Sequence, residues 1–277
     1  MINTEGLTKR FGNMVALDGL TLHIRQGEVF GLLGPNGAGK STTVRMLDTL
    51  SVPSAGKATV NGFDVVRQAH HVKRIIGVAC QELNLDKEMT GRENLRIHAL
   101  MHRMKDANQK IDALLKWSGL EDRADGMVAK YSGGMQRLLL ISRAILHRPE
   151  VVFLDEPTVG LDPQVRRQIW DLVRELRQQN ATILLTTHYI EEAELLCDRI
   201  GILDGGKLIA LGSPAELKRK VGRFVVEIRN NGATHYRLFR SREDARQHAD
   251  QMNSDILIRE SNLEDVFIHL TGKRIEK

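Results

Sequence analysis

The nine residues Gly34-Pro35-Asn36-Gly37-Ala38-Gly39-Lys40-Ser41-Thr42 carry the plainest chemistry in the chain. They fit the spacing G-x-x-x-x-G-K-[S/T], in which glycines let backbone N–H groups turn inward around a chain of phosphates. Lys40 would bring a full charge to the β- and γ-phosphates, and the Ser41 hydroxyl is placed to ligate Mg²⁺. A second constellation is Val151-Val152-Phe153-Leu154-Asp155-Glu156, four apolar residues that end in two carboxylates. Asp155 suits a Mg²⁺ contact through water. Glu156 suits the base or water-positioning residue of phosphoryl transfer. Ser132 can cap a helix whose first residues, Gly133-Gly134, expose backbone N–H groups, which makes a second anion site. His188 follows the apolar run Ala181–Thr186 and can donate to a γ-phosphate, although a lone histidine is usually structural.

These groups need elements that bring them to one place. Residues 28–33 are apolar and predict a buried strand, and residues 42–47 open a helix after the loop. The helix N-terminus then adds its partial positive charge to the phosphate site. Asp155 and Glu156 stand at the C-terminal end of their strand, where open α/β sheets bind ligands. Upstream, residues 2–11 and 15–25 predict two strands around a Gly12-Asn13 turn. Phe11, just before that turn, either stacks on an adenine face or serves as a core or edge aromatic. Residues 57–62 and 75–80 predict two more strands, the second ending at Gln81.

The pattern then turns helical. Thr90-Gly91-Arg92-Glu93 is a capping box. It opens a helix with apolar positions Leu95, Ile97, Leu100, Met101 and Met104. A second helix spans about Asn108–Trp117, with Ile111, Leu114 and Leu115 on one face and Gly119 as its stop. Residues 83–130 therefore predict an inserted helical subdomain. His98 and His102 share one helix at a spacing of four; without a third ligand nearby they read as a surface or packing pair rather than a metal site. Asp162-Pro163 starts another helix, to about Gln179. A helix over 191–198, a hairpin around Gly205-Gly206 and a capping box at Ser213–Glu216 follow. Residues 221–277 read as a small α+β appendage: strands at 224–228 and 234–238 around Asn230-Asn231-Gly232, a helix over 241–252, a strand at 256–258 and a last helix over 263–270.

Bulk properties bound the reading. The 277 residues are 42% hydrophobic and 27% charged, which is ordinary for a globular chain with a sizeable core. No run reaches the length of a membrane span, and residues 1–6 have no leader-like pattern, so a cytosolic chain is expected. Cys80 and Cys197 show no metal or redox spacing. A net charge of +5 without basic–aromatic interleaving gives no reason to expect nucleic acid.

The ordered set resembles the ATP-binding cassette subunit of ABC transporters over roughly residues 2–220. Gly34–Thr42 is similar to the Walker A motif, Gln81 to the Q-loop and Tyr131–Met135 to the signature. Val151–Glu156 resembles Walker B, Val159–Asp162 the D-loop, and His188 the switch histidine. The signature departs from the usual L-S-G-G-Q, but Ser132 and both glycines are kept. Its Y-S-G-G-M form looks like that of bacterial ABC-2 type exporters, similar to antibiotic-resistance ATPases. Residues 262–272 also resemble that branch's ending.

The resemblance implies an α/β fold: a P-loop NTPase core with an N-terminal antiparallel β subdomain, the inserted helices and the appendage, divided as 1–220 and 221–277. It implies ATP and Mg²⁺ as ligands, with Phe11 stacked on adenine and Gln81 reaching the metal and the γ-phosphate. Glu156, His188 and Gln81 would then be catalytic, and Ser132, Gly133, Gly134 and Asp162 would contact nucleotide. It further implies ATP hydrolysis by a head-to-tail pair of copies serving an integral membrane permease at the cytoplasmic face. The alternative is a soluble ABC ATPase of translation or repair. One cassette and no sustained heptads speak against it.

Overall fold

The computed structural model describes residues 1–230, 233–252 and 255–272. The chain opens with β1 (Ile2–Phe11) and β2 (Met14–Ile24), and then β3 (Val29–Leu33) feeds α1 (Lys40–Leu47) through the glycine-rich loop. Next come β4 (Ala55–Val60), β5 (Phe63–Asp64), α2 (Ala69–Ile75) and β6 (Ile76–Ala79). The helical block holds α3 (Gly91–Met101) and α4 (Ala107–Trp117), and α5 (Gly133–Ile145) leads out of it. After it run β7 (Val151–Asp155), α6 (Pro163–Gln178), β8 (Thr182–Thr187), α7 (Ile190–Leu196), β9 (Arg199–Asp204), β10 (Lys207–Gly212) and α8 (Pro214–Val221). The chain ends with β11 (Phe224–Asn230), β12 (Ala233–Phe239), α9 (Arg242–Asp250), β13 (Asp255–Glu260) and α10 (Leu263–Thr271). The turn expected at Asn231-Gly232 lies outside the described residues.

A six-stranded sheet of order β10-β9-β3-β8-β7-β6 forms the centre. All its pairings are parallel except that of β10 with β9. Every residue of β3, β7 and β8 is buried, which is why these strands read as continuous apolar runs rather than alternating ones. Parallel strands in register end on one edge. Leu33 lies opposite Thr187, Asp155 opposite Thr186 and Ala79 opposite Leu154. Gly34, Glu156, His188 and the segment at Gln81 therefore leave the sheet from the same side. A separate antiparallel sheet, β2-β1-β4-β5, covers the loop from the N-terminal region. A Cβ on Gly39 would stand 2.6 Å from the Ala16 carbonyl oxygen of β2, so only glycine allows this approach.

Both sequence-level capping boxes form. Thr90 Oγ1 accepts from the Glu93 N–H at 3.1 Å, and Glu93 accepts from the Thr90 N–H at 2.8 Å. Ser213 and Glu216 repeat the arrangement on α8. The buried face of α3 is narrower than its apolar content predicts. Leu95 and Ala99 are buried, but Ile97, Leu100 and Met101 are exposed, Leu100 and Met101 by more than three-quarters. The helix packs on α4 and α5 along one side only, so the other apolar stripe faces outward. The sequence shows no signal for α2, which has no side-chain cap and buries only Val72.

The spacing of His98 and His102 suggests a pair with no third ligand nearby, and the packing departs from that. His98 and His102 do have a third histidine beside them, His147, which follows α5. The rings of His102 and His147 stack with centroids 3.8 Å apart. Burial and the neighbouring imidazoles push His98 down to about 3, and burial pushes His147 down to about 4.

The last three strands form their own antiparallel sheet, β12-β11-β13. The final helix does not stay with it. Leu263, Val266 and Phe267 are wholly buried in the same apolar cluster as Ile183, Leu196 and Leu217. Each such side chain contributes roughly 1.5–3 kcal/mol by its removal from water.

Candidate active site

The glycine-rich loop is built to receive anions. Gly37 and Gly39 have φ of 79° and 100°, and Gly39 caps α1 without any side-chain hydrogen bond. The first-turn N–H groups of α1 therefore have no side-chain acceptor and face the loop, as a phosphate site needs. A Cβ on Gly34 would stand 2.3 Å from the Leu203 carbonyl oxygen, which holds the loop's start tightly against β9. Lys40 is 5% exposed. Its Nζ donates to the carbonyls of Gly34 and Pro35 at 2.7 and 3.0 Å, and it pairs with Glu156 Oε1 at 2.9 Å.

The two carboxylates at the end of β7 have different tasks. Asp155 Oδ1 accepts from Ser41 Oγ at 3.0 Å and from Thr186 Oγ1 at 2.5 Å. A hydroxyl and a carboxylate side by side make the hard oxygen set that suits Mg²⁺. Glu156 sits in the left-handed region with φ of 51°. Such a conformation costs on the order of 1 kcal/mol for a non-glycine residue, and the neighbours hold it. Its N–H donates to Thr186 O and Thr186 Oγ1 at 3.1 and 3.0 Å. Its carboxylate lies between Lys40 and His188 Nδ1, the latter at 2.6 Å from Oε2. Lys40, Ser41, Asp155, Glu156 and His188 thus form one connected cluster, joined through Thr186.

Other expected site residues lie outside this cluster. Gln81 follows β6 with an exposed side chain, and its backbone carbonyl accepts from Arg137 at 2.9 Å. Ser132 Oγ caps α5 by accepting from the Met135 N–H at 3.2 Å. Gly133 is open to solvent, whereas a Cβ on Gly134 would meet Val165 of α6 at 2.8 Å. Asp162 is exposed and caps α6 through the N–H groups of Gln164 and Val165, both at 3.0 Å. Among the described residues, no hydrogen bond or ion pair links Ser132–Gly134 or Asp162 to residues 34–42. Phe11 is 52% exposed beside Lys9, whose Nζ stands 5.1 Å from the ring centre, so it is not a core aromatic.

Three positioning residues escape a sequence reading. Thr186 ties Asp155 to the Glu156 backbone, though it looks like one more β-branched strand residue. Arg137 joins the helix after Ser132 to the Gln81 segment through the carbonyls of Cys80 and Gln81. Glu192 reads as an ordinary helix-opening acid. It is wholly buried and accepts from Thr158 Oγ1 at 3.0 Å and Trp170 Nε1 at 3.2 Å, and burial pushes its carboxyl up. Only its place four residues after His188 could have marked it.

Comparison with known proteins agrees with this geometry. A family model described as ABC transporter matches residues 17–159. A daunorubicin resistance ATP-binding protein of Streptomyces coeruleorubidus is 41% identical, over 98% of this chain and 96% of its own length. Nod factor export ATP-binding protein I of Mesorhizobium japonicum is 40% identical, over 100% of this chain and 88% of its own. Among solved structures, an ATP-binding subunit of an ABC transporter superposes with a TM-score of 0.74 at 29% identity, covering 79% of this chain and 92% of that one. A dimeric ATP-binding cassette in a post-hydrolysis state with ADP and Pi gives 0.71 at 26% identity, covering 77% and 98%. The chain belongs to the ABC transporter family, as an ATP-binding and ATP-hydrolysing subunit of an exporter.

Proposed function

We propose that two copies of this chain pair head to tail around two ATP molecules and drive an ABC-2 type membrane permease. One observation carries this reading: the connected cluster of Lys40, Asp155, Glu156 and His188 stands apart from Ser132, Gly133 and Asp162, which face outward, while Gly134 packs under them against Val165. A second copy would bring its own Ser132, Gly133 and Gly134 to the phosphates held by the first. Phe11, exposed at the end of the first strand, would cover the adenine face. The apposed surfaces would exclude water and complete the charge cage.

The ion pairs supply an order of events. Lys40 turns from Glu156 and the loop carbonyls to the β- and γ-phosphate oxygens. Glu156 Oε1, released, accepts a hydrogen bond from the attacking water. His188 keeps Oε2 in place and faces the γ-phosphate. The water oxygen bonds to the γ-phosphorus, the bond to the β-phosphate oxygen breaks, and the water proton passes to Glu156. Ser41 and Asp155, with Gln81 reaching in from the end of β6, would hold Mg²⁺. When bound, that ion screens the phosphate charge and orients the oxygens.

The permease contact falls on α3. Ile97, Leu100 and Met101 form an exposed apolar stripe on the helical block that follows the Gln81 segment, suited to a cytoplasmic helix of the membrane partner. Among the described residues no helix is long and apolar enough to cross a membrane, so this chain would sit on the cytoplasmic face through that partner. The test is Glu156→Gln with ATP and Mg²⁺. It should elute as a nucleotide-bound dimer and lose turnover by at least about 10²-fold. A monomer with normal hydrolysis would overturn the assignment.

A further inference from the structure

We propose that His98, His102 and His147 form a site for a divalent transition-metal ion of the Zn²⁺ class. The site lies outside the nucleotide cluster and joins the helical block to the central sheet. Their candidate donor nitrogens all lie within 4.8 Å of one another. His98 Nε2 stands 3.3 Å from His147 Nδ1. A tetrahedral ion with metal–nitrogen bonds of about 2.0–2.1 Å places its ligand nitrogens about 3.3 Å apart, so this pair already spans one edge. His102, stacked on His147, closes the remaining gap, up to about 1.5 Å, by a side-chain rotation.

The tautomers favour ligation. His147 Nε2 lies 3.0 Å from the Ile76 carbonyl oxygen, which can only accept. Nε2 therefore carries the proton, and Nδ1 presents its lone pair toward His98. A ligating histidine that donates its other N–H to a backbone carbonyl is held in orientation and made more basic. His98, which donates from Nε2 to His147, would move that proton to its own Nδ1 as the metal binds, so no proton need leave. All three imidazoles are half-buried, which leaves a fourth position for water. Imidazole-only ligation suits Zn²⁺, Cu²⁺ and Ni²⁺, and the absence of carboxylates from the set disfavours Mg²⁺ and Ca²⁺.

The placement gives the site its meaning. His98 and His102 are on α3, whose exposed stripe carries Ile97, Leu100 and Met101. His147 sits between α5 and β7 and is tied to β6 through Ile76. A bound ion cross-links the helical block to the strand that leads to Gln81.

The experiment uses the full chain without a polyhistidine tag, stripped with chelator and free of nucleotide. Zn²⁺ titrated by calorimetry, and Co²⁺ followed by its tetrahedral visible absorption, should report one site per chain. His102→Gln and His147→Ala should each weaken Zn²⁺ at least tenfold and abolish the Co²⁺ spectrum. His71→Gln, in a separate histidine pair with His70, should change neither. Zn²⁺ should raise the melting temperature of the wild type and not that of His102→Gln. That variant's circular dichroism and ATP turnover without Zn²⁺ should match wild type. Equal Zn²⁺ binding by wild type and His102→Gln, or no Co²⁺ spectrum in the wild type, overturns the proposal.

Discussion

The two ends of the chain's nucleotide chemistry differ in how complete they are. Around Lys40, the ammonium and the carboxylates of Asp155 and Glu156 are buried and partnered, with Glu156 held by Lys40 on one side and His188 on the other. Around Ser132, the serine does no more than cap its helix, and Gly133 has open space where a side chain would go. One region is a finished interior, and the other is an exposed surface. On the proposed pairing, a single fold would hold both halves of a site and still not close it on itself.

The sharpest way to break that contrast is to disable each half in a different chain. Lys40→Ala and Ser132→Arg should each lower ATP turnover by about 10²–10³-fold when alone. Mixed in equal amounts, they should regain measurable turnover, because the mixed pair has one intact composite site. Mixing without recovery would mean that each chain works alone.

The neighbouring glycines separate packing from function. Gly134→Ala places a Cβ 2.8 Å from Val165 and should destabilise the chain by about 1–3 kcal/mol in urea unfolding. Gly133→Ala meets nothing within 4 Å and lies at the start of α5, so stability should hold or rise by up to about 1 kcal/mol. Its turnover should nonetheless fall at least about tenfold, since the added methyl would stand in the partner's phosphate path.

The buried half also carries a charge cost that pH can expose. Burial raises the Asp48 carboxyl to about 6 from its ordinary value of 3.8, although the Leu50 N–H and Arg45 favour the ionised form. Between pH 3.8 and 6 the folded chain keeps this proton while the unfolded chain has lost it. Stability from this group therefore falls as pH rises through that window and is lost above it. Asp48→Asn keeps the Leu50 contact. It should flatten that slope and add on the order of 2 kcal/mol at pH 7, read by urea unfolding at several pH values. The smallest effect belongs to the exposed half. Asp162→Ala removes the cap of α6 and should cost about 1 kcal/mol.

Local rules made much of this molecule legible. The glycine spacing before Lys40, the capping boxes at Thr90 and Ser213, and Asp162-Pro163 at the start of α6 act over a few residues, and all form. Central strands announced themselves because a parallel sheet buries both faces. What escaped depends on distant packing. His147 lies 45 residues beyond His102 and meets it only because α3 lies over the end of α5. The outward face of Ile97, Leu100 and Met101 could not be read from apolar content, since that content exceeds what one helix side can bury. Arg137 and Thr186 hold other residues in place through long-range hydrogen bonds, and their types give no hint of it.

The burial of Leu263, Val266 and Phe267 has a consequence for the order in which this chain matures. During synthesis the sheet, the glycine-rich loop and His188 all emerge before α10 does. The cluster that includes Leu196 of α7 and Leu217 of α8 must wait for those last apolar side chains before it is sealed. Since α7 begins two residues after His188, the helix that follows this histidine packs into a cluster that only the last helix completes.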